Sequence, residues 1–379
     1  MTLPALPASY RRQFQEPPGF MNSAAISPVS KLVESRVADY VADFCSATGN
    51  LSTLLEEAMN RGRRGLAGLL DADVRRVGVT HTTGAALLHV AFGLRGGNVV
   101  VPEAEFPTNI YPWIRAMQAG LIDEVRRVPL PDLRLTPDHL RPFVDASTRV
   151  VAVSHVDFAT GFRTDLGKLR EAFPEPLLVV DAIQSLGAFG VDSAAADVVA
   201  AGSHKWMRAG FGGAAMVVSD RAVDRLTPTL TGWMGVAEPL DFQTLPPHPP
   251  AAGAARFQMS SDPVMGAVAL AAACEVIRMA GVKSISRCIS AAMDRLEEEL
   301  ERIGCELRRP WRNPGERAGI LTFRIPGRDS AQVVETMRER GVVLADRAGW
   351  VRASPPATTT EESIGLLLEG LAPLLDTSQ

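Results

Sequence analysis

Apolar residues fall into two alternating patterns along the first two-thirds of the chain. Short runs rich in Val and Ala, apolar at successive positions, predict strands at Val77–Thr80, Asn98–Val101, Arg149–Ser154, Leu177–Val180, Asp197–Ala201 and Ala214–Val218. Between and after them, apolar positions at helical spacing predict helices at Ala85–Leu94, Ile110–Ala119, Asp165–Phe173 and Asp262–Met279. Strands apolar on both faces belong to sheets covered on both sides, so the pattern predicts an α/β fold built on a mostly parallel sheet.

The rhythm breaks at Pro239–Arg256, a stretch rich in Pro and Ala that reads as a linker or surface excursion. Beyond it an amphipathic helix (Ile285–Ile303), a strand (Gly319–Ile325), a helix (Ser330–Arg340), strands near Val342 and Val351 and a closing helix (Thr360–Leu371) predict a smaller α+β unit. The expected division is residues 1–40 as a segment packing with the small domain, 41–255 as the large domain and 256–379 as the small one.

Composition narrows the classes of function. A formal charge of −4 and a pI near 5.9 give no reason to expect nucleic acid or an anionic membrane as partner. There is no apolar run of about 18 residues, the length a membrane span requires. The first twenty residues lack the basic start and apolar stretch of a secretory signal. Cys45, Cys274, Cys288 and Cys305 form no CxxC pair, which argues against a zinc site and for a reducing cytoplasm. Only four of the 39 basic residues are lysines: Lys31, Lys168, Lys205 and Lys283. Chemistry that needs an amine has few candidates.

In an open α/β sheet, ligands bind beyond the carboxyl ends of the strands. The first strand is followed by His81-Thr82-Thr83-Gly84, either a helix-start anion site or a plain threonine cap. Phe106, after the second, could stack on a flat ring or simply fill the core. Asp181 ends a buried strand, so it either pairs with a cation or caps the next helix. Gly202-Ser203-His204-Lys205-Trp206 comes after another strand, and Lys205 is the one lysine placed where burial would lower its pKa for imine formation.

Taken together, Asp181, Gln184 and Ser203-His204-Lys205-Trp206 resemble the fold-type I pyridoxal-5'-phosphate (PLP) enzymes of the aminotransferase class V superfamily. That group includes cysteine desulfurases, selenocysteine lyases, kynureninase and isopenicillin N epimerase. The resemblance runs from Phe20-Met21-Asn22-Ser23-Ala24-Ala25 to Val351-Arg352-Ala353-Ser354-Pro355. It implies that Lys205 forms the Schiff base with PLP and later shuttles the Cα proton. By the same likeness Asp181 pairs with the pyridinium nitrogen, Gln184 bonds the phenolic oxygen and Phe106 stacks on the ring. Thr83, Gly84, Ser203 and His204 would hold the phosphate, with Ser261 completing that site from a partner subunit in a homodimer. Arg352 would grip the carboxylate of a small amino-acid substrate, with Ala25 beside it.

Departures bear on the reaction. Gly202 stands where relatives carry Ser or Asp, and Phe158 where cysteine desulfurases carry Asn. The stretch Leu344-Ala345-Asp346-Arg347-Ala348-Gly349-Trp350 lacks the cysteine that accepts sulfur in desulfurases. Pro356-Ala357-Thr358-Thr359 replaces an aromatic-containing segment. The expected outcome is therefore β-elimination of the C–S lyase type without a persulfide cysteine. Transamination, epimerisation and kynureninase-like hydrolysis are the alternatives, the last suggested by Phe106-Pro107-Thr108-Asn109 and Thr231-Gly232-Trp233-Met234-Gly235. A non-catalytic scaffold would be expected to lack one of Lys205, Asp181 and Arg352, and all three are present. A nucleotide-binding protein without PLP would want a glycine fingerprint after the first strand, and His81-Thr82-Thr83-Gly84 is not one.

Overall fold

The computed structural model describes residues 3–46, 50–260, 263–308 and 313–375. Ser261, and Asp262 where a helix was expected to begin, lie outside the described residues.

In chain order the helices are α1 (Ala8–Arg11), α2 (Lys31–Ser46), α3 (Leu51–Leu70), α4 (Thr83–Gly93), α5 (Tyr111–Gln118), α6 (Pro137–Leu140), α7 (Leu166–Ala172), α8 (Asp220–Arg225), α9 (Val264–Ala280), α10 (Val282–Arg302), α11 (Ser330–Glu339) and α12 (Glu361–Leu375). The strands are β1 (Val77–Thr80), β2 (Asn98–Pro102), β3 (Glu124–Val128), β4 (Thr148–Ser154), β5 (Leu177–Asp181), β6 (Val198–Gly202), β7 (Ala214–Val218), β8 (Glu306–Leu307), β9 (Leu321–Arg324), β10 (Ala345–Arg347) and β11 (Trp350–Ala353).

Seven strands form one sheet in the order β1-β7-β6-β5-β4-β2-β3. Neighbours from β6 through β3 are parallel, and β7 runs antiparallel to both β6 and β1. Successive residues of a strand point to opposite faces, and here both faces are buried. Val151, Val153, Leu178, Val180 and Val199 join a core with α3, α7 and α9, whereas Val150, Ala152, Leu177, Val179 and Val198 join another with α4, α5 and α8. That two-sided burial is why the runs are apolar at every position.

The expected α/β class and mostly parallel sheet are what the chain adopts, with one strand unforeseen. The segment Glu-Val-Arg-Arg-Val of β3 is polar because it is the sheet's edge, where one flank meets solvent. No strand forms at Val342; Val343 makes a single parallel bridge to Phe20. A second bridge joins Asn22 to Ser354, so residues 20–25 run beside the end of β11 toward the large sheet.

The second sheet, β10-β11-β9-β8, is antiparallel throughout, with α10 and α11 packed on it and α12 against those two helices. Helix α9 packs along α3 and α2, then the chain turns at Gly281 and α10 leaves at 74°. Among the described residues no single helix is long and apolar enough to cross a membrane.

Candidate active site

The carboxyl ends of the parallel strands, the segment around Ala25 and the β10–β11 hairpin enclose a cavity of about 540 Å³. Ala25, Thr83, Gly84, Phe106, Asp181, Gln184, His204, Lys205 and Arg352 all line it. These residues are far apart in sequence. Parallel topology brings them together, because every crossover returns the chain to the same edge of the sheet.

Lys205 lies just past β6 and is only 8% exposed. Burial pushes its ammonium down to about 8; Asp181 acts in the opposite sense, and the cations of Arg352 and Arg347 add to the lowering. Its Nζ lies 5.4 Å from the centre of the Phe106 ring. That ring meets Phe158 edge to face at 5.3 Å.

Asp181 ends β5 on the neighbouring strand. Its Oδ1 accepts a hydrogen bond from Ile183 N at 2.9 Å, and burial pushes the carboxyl up to about 6 despite that bond and the Lys205 charge. Asp181 thus caps a turn, with no helix formed at residues 183–188, and lines the cavity at the same time. Gln184, one turn on, donates to Ala24 O at 3.1 Å and accepts from the Trp206 indole at 3.0 Å. Those bonds fix the amide plane and leave one N–H of Nε2 for a ligand.

The capping threonine is Thr82, whose hydroxyl accepts from Ala85 N at 3.0 Å. Thr83 instead accepts from Gly202 N at 2.8 Å, which ties the start of α4 to the end of β6. A Cβ on Gly202 would stand 3.1 Å from both that hydroxyl and Ile183 Cδ1. The Thr83 hydroxyl thus occupies the space into which a side chain at position 202 would project. At Gly84 the nearest atoms to an added Cβ are 3.6 Å away, so a ligand can approach the helix start closely.

Ser203 departs from expectation. Its side chain does not line the cavity, because the hydroxyl donates to Gly210 O at 2.6 Å. His204 does line it, stacked on Phe211 with ring centres 4.6 Å apart, and burial holds its imidazole down at about 4. It is a neutral donor and acceptor at physiological pH.

Arg352, on β11, is 1% exposed. Nη1 donates to Phe158 O at 2.9 Å, while Nε and Nη2 are buried with no partner. Burial, joined by Arg347, lowers the guanidinium to about 10. Two orphaned donors of one guanidinium edge form a fork that matches a carboxylate.

Several lining residues were not foreseen as site residues, among them Arg347 on β10, Phe211 and Ile26. A related omission is Glu105, which accepts from both the backbone N–H and the hydroxyl of Ser154 and is pushed up to about 8 by burial. It anchors the Phe106 loop to β4. A carboxylate flanked by Ala104 and Phe106 was the available sequence signal.

The sheet order, the buried lysine after β6 and the aspartate ending β5 define a fold-type I PLP-binding architecture. The chain belongs to the aminotransferase class V family, whose model matches residues 20–362 and whose cofactor is PLP. It is 26% identical to a probable cysteine desulfurase of Methanothermobacter thermautotrophicus, with 93% of each chain covered. It is 30% identical to the kynureninase of Deinococcus radiodurans over 82% of this chain and 77% of that one. A solved structure of a C-DES variant with glycine covalently linked to its PLP cofactor superposes with a TM-score of 0.85 at 18% identity, covering 94% and 96%.

The residues present suit that cofactor. An amine with a lowered pKa, a buried carboxylate on the adjacent strand, an aromatic face and a helix start open to an anion occupy one cavity.

Proposed function

We propose that the protein is a PLP-dependent enzyme acting on a small α-amino acid by removing its Cα proton, with β-elimination as the outcome. The observation that carries this reading is the orphaned Nε–Nη2 edge of Arg352, which shares the cavity with Lys205. Unpaired buried guanidinium donors are costly, and the carboxylate of an amino acid would satisfy both.

PLP, when bound, supplies an electron sink for the charge left at Cα. Lys205 would hold it covalently, Asp181 would face the ring nitrogen, Gln184 the phenolic oxygen and Phe106 a ring face. The α4 start with Thr83 and Gly84, together with His204, would take the phosphate. Buried Asp181 keeps its charge above about pH 6, which favours a protonated nitrogen opposite it. Lys205, with its pKa near 8, is poised to take a proton from Cα and return it to a neighbouring atom. Arg352 fixes the substrate carboxylate so that the Cα–H bond faces Lys205.

The chain's thiols favour elimination over desulfuration. No cysteine lines the cavity; Cys274, Cys288 and Cys305 are buried with raised pKa, and Cys45 is exposed elsewhere. The lining therefore offers no thiol to accept sulfur, which supports elimination. Kynureninase-like hydrolysis is the second reading, favoured by the 30% identity to a kynureninase. Asn109, which ends the segment that suggested it but stands where that enzyme is expected to carry an aspartate, is buried off the cavity with its Oδ1 accepting from the Trp113 indole.

The reading includes a homodimer in which Ser261 of one subunit completes the phosphate site of the other. Exposed Trp233, Phe242, Leu245 and Met259 support it as surface a second copy could cover. Free cysteines suit a cytoplasmic location.

The test is the absorbance spectrum of protein purified with PLP, wild type against Lys205→Ala, before and after a panel of amino acids. A visible band lost in the variant and shifted by particular amino acids supports the reading. Pyruvate and sulfide as products mark elimination, an oxo acid with aminated cofactor marks transamination, and a protein that never takes up PLP refutes it.

A further inference from the structure

The cavity holds a second arginine that a simple amino acid leaves unused. Asp181 is the lone carboxylate among the described lining residues, against the cations Lys205, Arg347 and Arg352. If Asp181 faces the cofactor and Arg352 the α-carboxylate, Arg347 has no counter-ion.

Its placement is set by a two-residue hairpin. Ala348 and Gly349 both have positive φ (52° and 81°), as a type I′ turn requires, so Arg347 pairs directly with Trp350 and Ala345 with Arg352. Side chains two apart on a strand share a face, which places Arg347 and Arg352 diagonally on the same face of the small sheet, their Cα atoms roughly 7–8 Å apart. That face looks onto the cavity, and both arginines line it.

Arg347 is also free of competing anions. Its Nη1 donates to Asp346 O at 2.7 Å, and it makes no salt bridge among the described residues. The Asp346 carboxylate is engaged by the Ser330 hydroxyl instead. Elsewhere in the small domain Arg324 pairs with Glu306, and Arg317 with Asp294 and Glu297. The two cavity arginines have no such acidic partner among the described residues. Each also disfavours the charged form of Lys205, an effect that an incoming anion would relieve.

The geometry points to a substrate with two anionic groups: an α-amino acid whose short side chain ends in a carboxylate or a similar oxyanion, with Arg352 on the α-carboxylate and Arg347 on the side chain. This rests on the proposed PLP chemistry of the site. Arg347 is then a specificity residue. A neutral amino acid would fit the same cavity but leave that charge unpaired, and discrimination arises from that difference.

The test is binding to the PLP-loaded enzyme, read from the cofactor's visible band. L-Aspartate and L-cysteine sulfinate are titrated against L-alanine and L-2-aminobutyrate in wild type, Arg347→Gln and Arg347→Lys. The acidic pair should bind about tenfold or more tightly in wild type, lose that advantage in Arg347→Gln and keep part of it in Arg347→Lys. Succinate should raise the melting temperature of wild type more than butyrate does, and equally little in Arg347→Gln. Equal binding of acidic and neutral amino acids, or a uniform loss for both in Arg347→Gln, overturns the inference. In the latter case Arg347 serves the cofactor rather than the side chain. A protein with no visible band, or one that no amino acid perturbs, fails at the earlier reading instead.

Discussion

The two walls of the cavity are built on opposite terms. On the wall built by the seven-stranded sheet most polar groups are already tied to protein: Asp181 to Ile183, Gln184 to Ala24 and Trp206, Thr83 to Gly202. On the wall built by the four-stranded sheet Arg352 keeps two buried donors unpaired, and Arg347 bonds only a backbone carbonyl among the described residues. The first wall is preorganised for a group of fixed shape that stays through every turnover. The second stores unmet hydrogen-bonding demand that a transient ligand supplies and then withdraws. The groups proposed to hold the cofactor and those proposed to hold the substrate are thus separated in space.

The sharpest way to break this contrast is Lys205→Ala, which should lower turnover by about 10²–10⁴-fold and abolish covalent cofactor retention while substrate analogues still bind at Arg352. Next comes the joint between the walls. Arg208, three residues past Lys205, forms a buried two-pronged pair with Glu16 (3.0 and 2.7 Å), and Thr358 also bonds Glu16. Glu16→Gln strands that charge and should destabilise the protein by about 3–5 kcal/mol in denaturant melts. It should also loosen the segment leading to Ala25.

Arg352→Met should weaken amino-acid binding by about 2–5 kcal/mol, seen as a raised half-saturation in spectral titrations. The same change should raise the melting temperature of ligand-free protein, since it removes unpaired buried donors. Opposite signs for binding and stability are what the small-sheet wall predicts; a fall in both would contradict it.

Acidity probes the other wall. The neutral Lys205 amine would be the form that holds the cofactor covalently, so capture by apoprotein should rise about tenfold per pH unit and level off above about 8. Below about 6 Asp181 gains a proton, and cofactor affinity should fall. The smallest effect is Gly202→Ser, which crowds Thr83 and Ile183 and should cost about 1 kcal/mol, read as a modest fall in melting temperature.

Much of the large-sheet wall was legible in the chain because its residues sit at fixed offsets from strands whose two-sided burial makes them conspicuous. Lys205 stood out by scarcity as well as position. Ser203 was misplaced because its hydroxyl had an equally near acceptor in Gly210 O, a choice made by a loop conformation that spacing does not encode. Arg347 went unrecognised for a related reason. Its strand was expected near Val342, and only the Ala348-Gly349 turn sets which residues share a face with Arg352.

The sequence by itself determined the α/β class, the two-faced sheet, the lysine and aspartate at adjoining strand ends and the family to which they belong, because these depend on local periodicity and on residue types that few other settings tolerate. Tertiary structure alone decided the partnering of each polar group: that Thr83 answers Gly202, that Glu16 answers Arg208, and that Arg352 and Arg347 form no ion pair among the described residues. Hydrogen-bond satisfaction is a property of neighbours brought together from remote parts of the chain, and one residue's shift in register reassigns it.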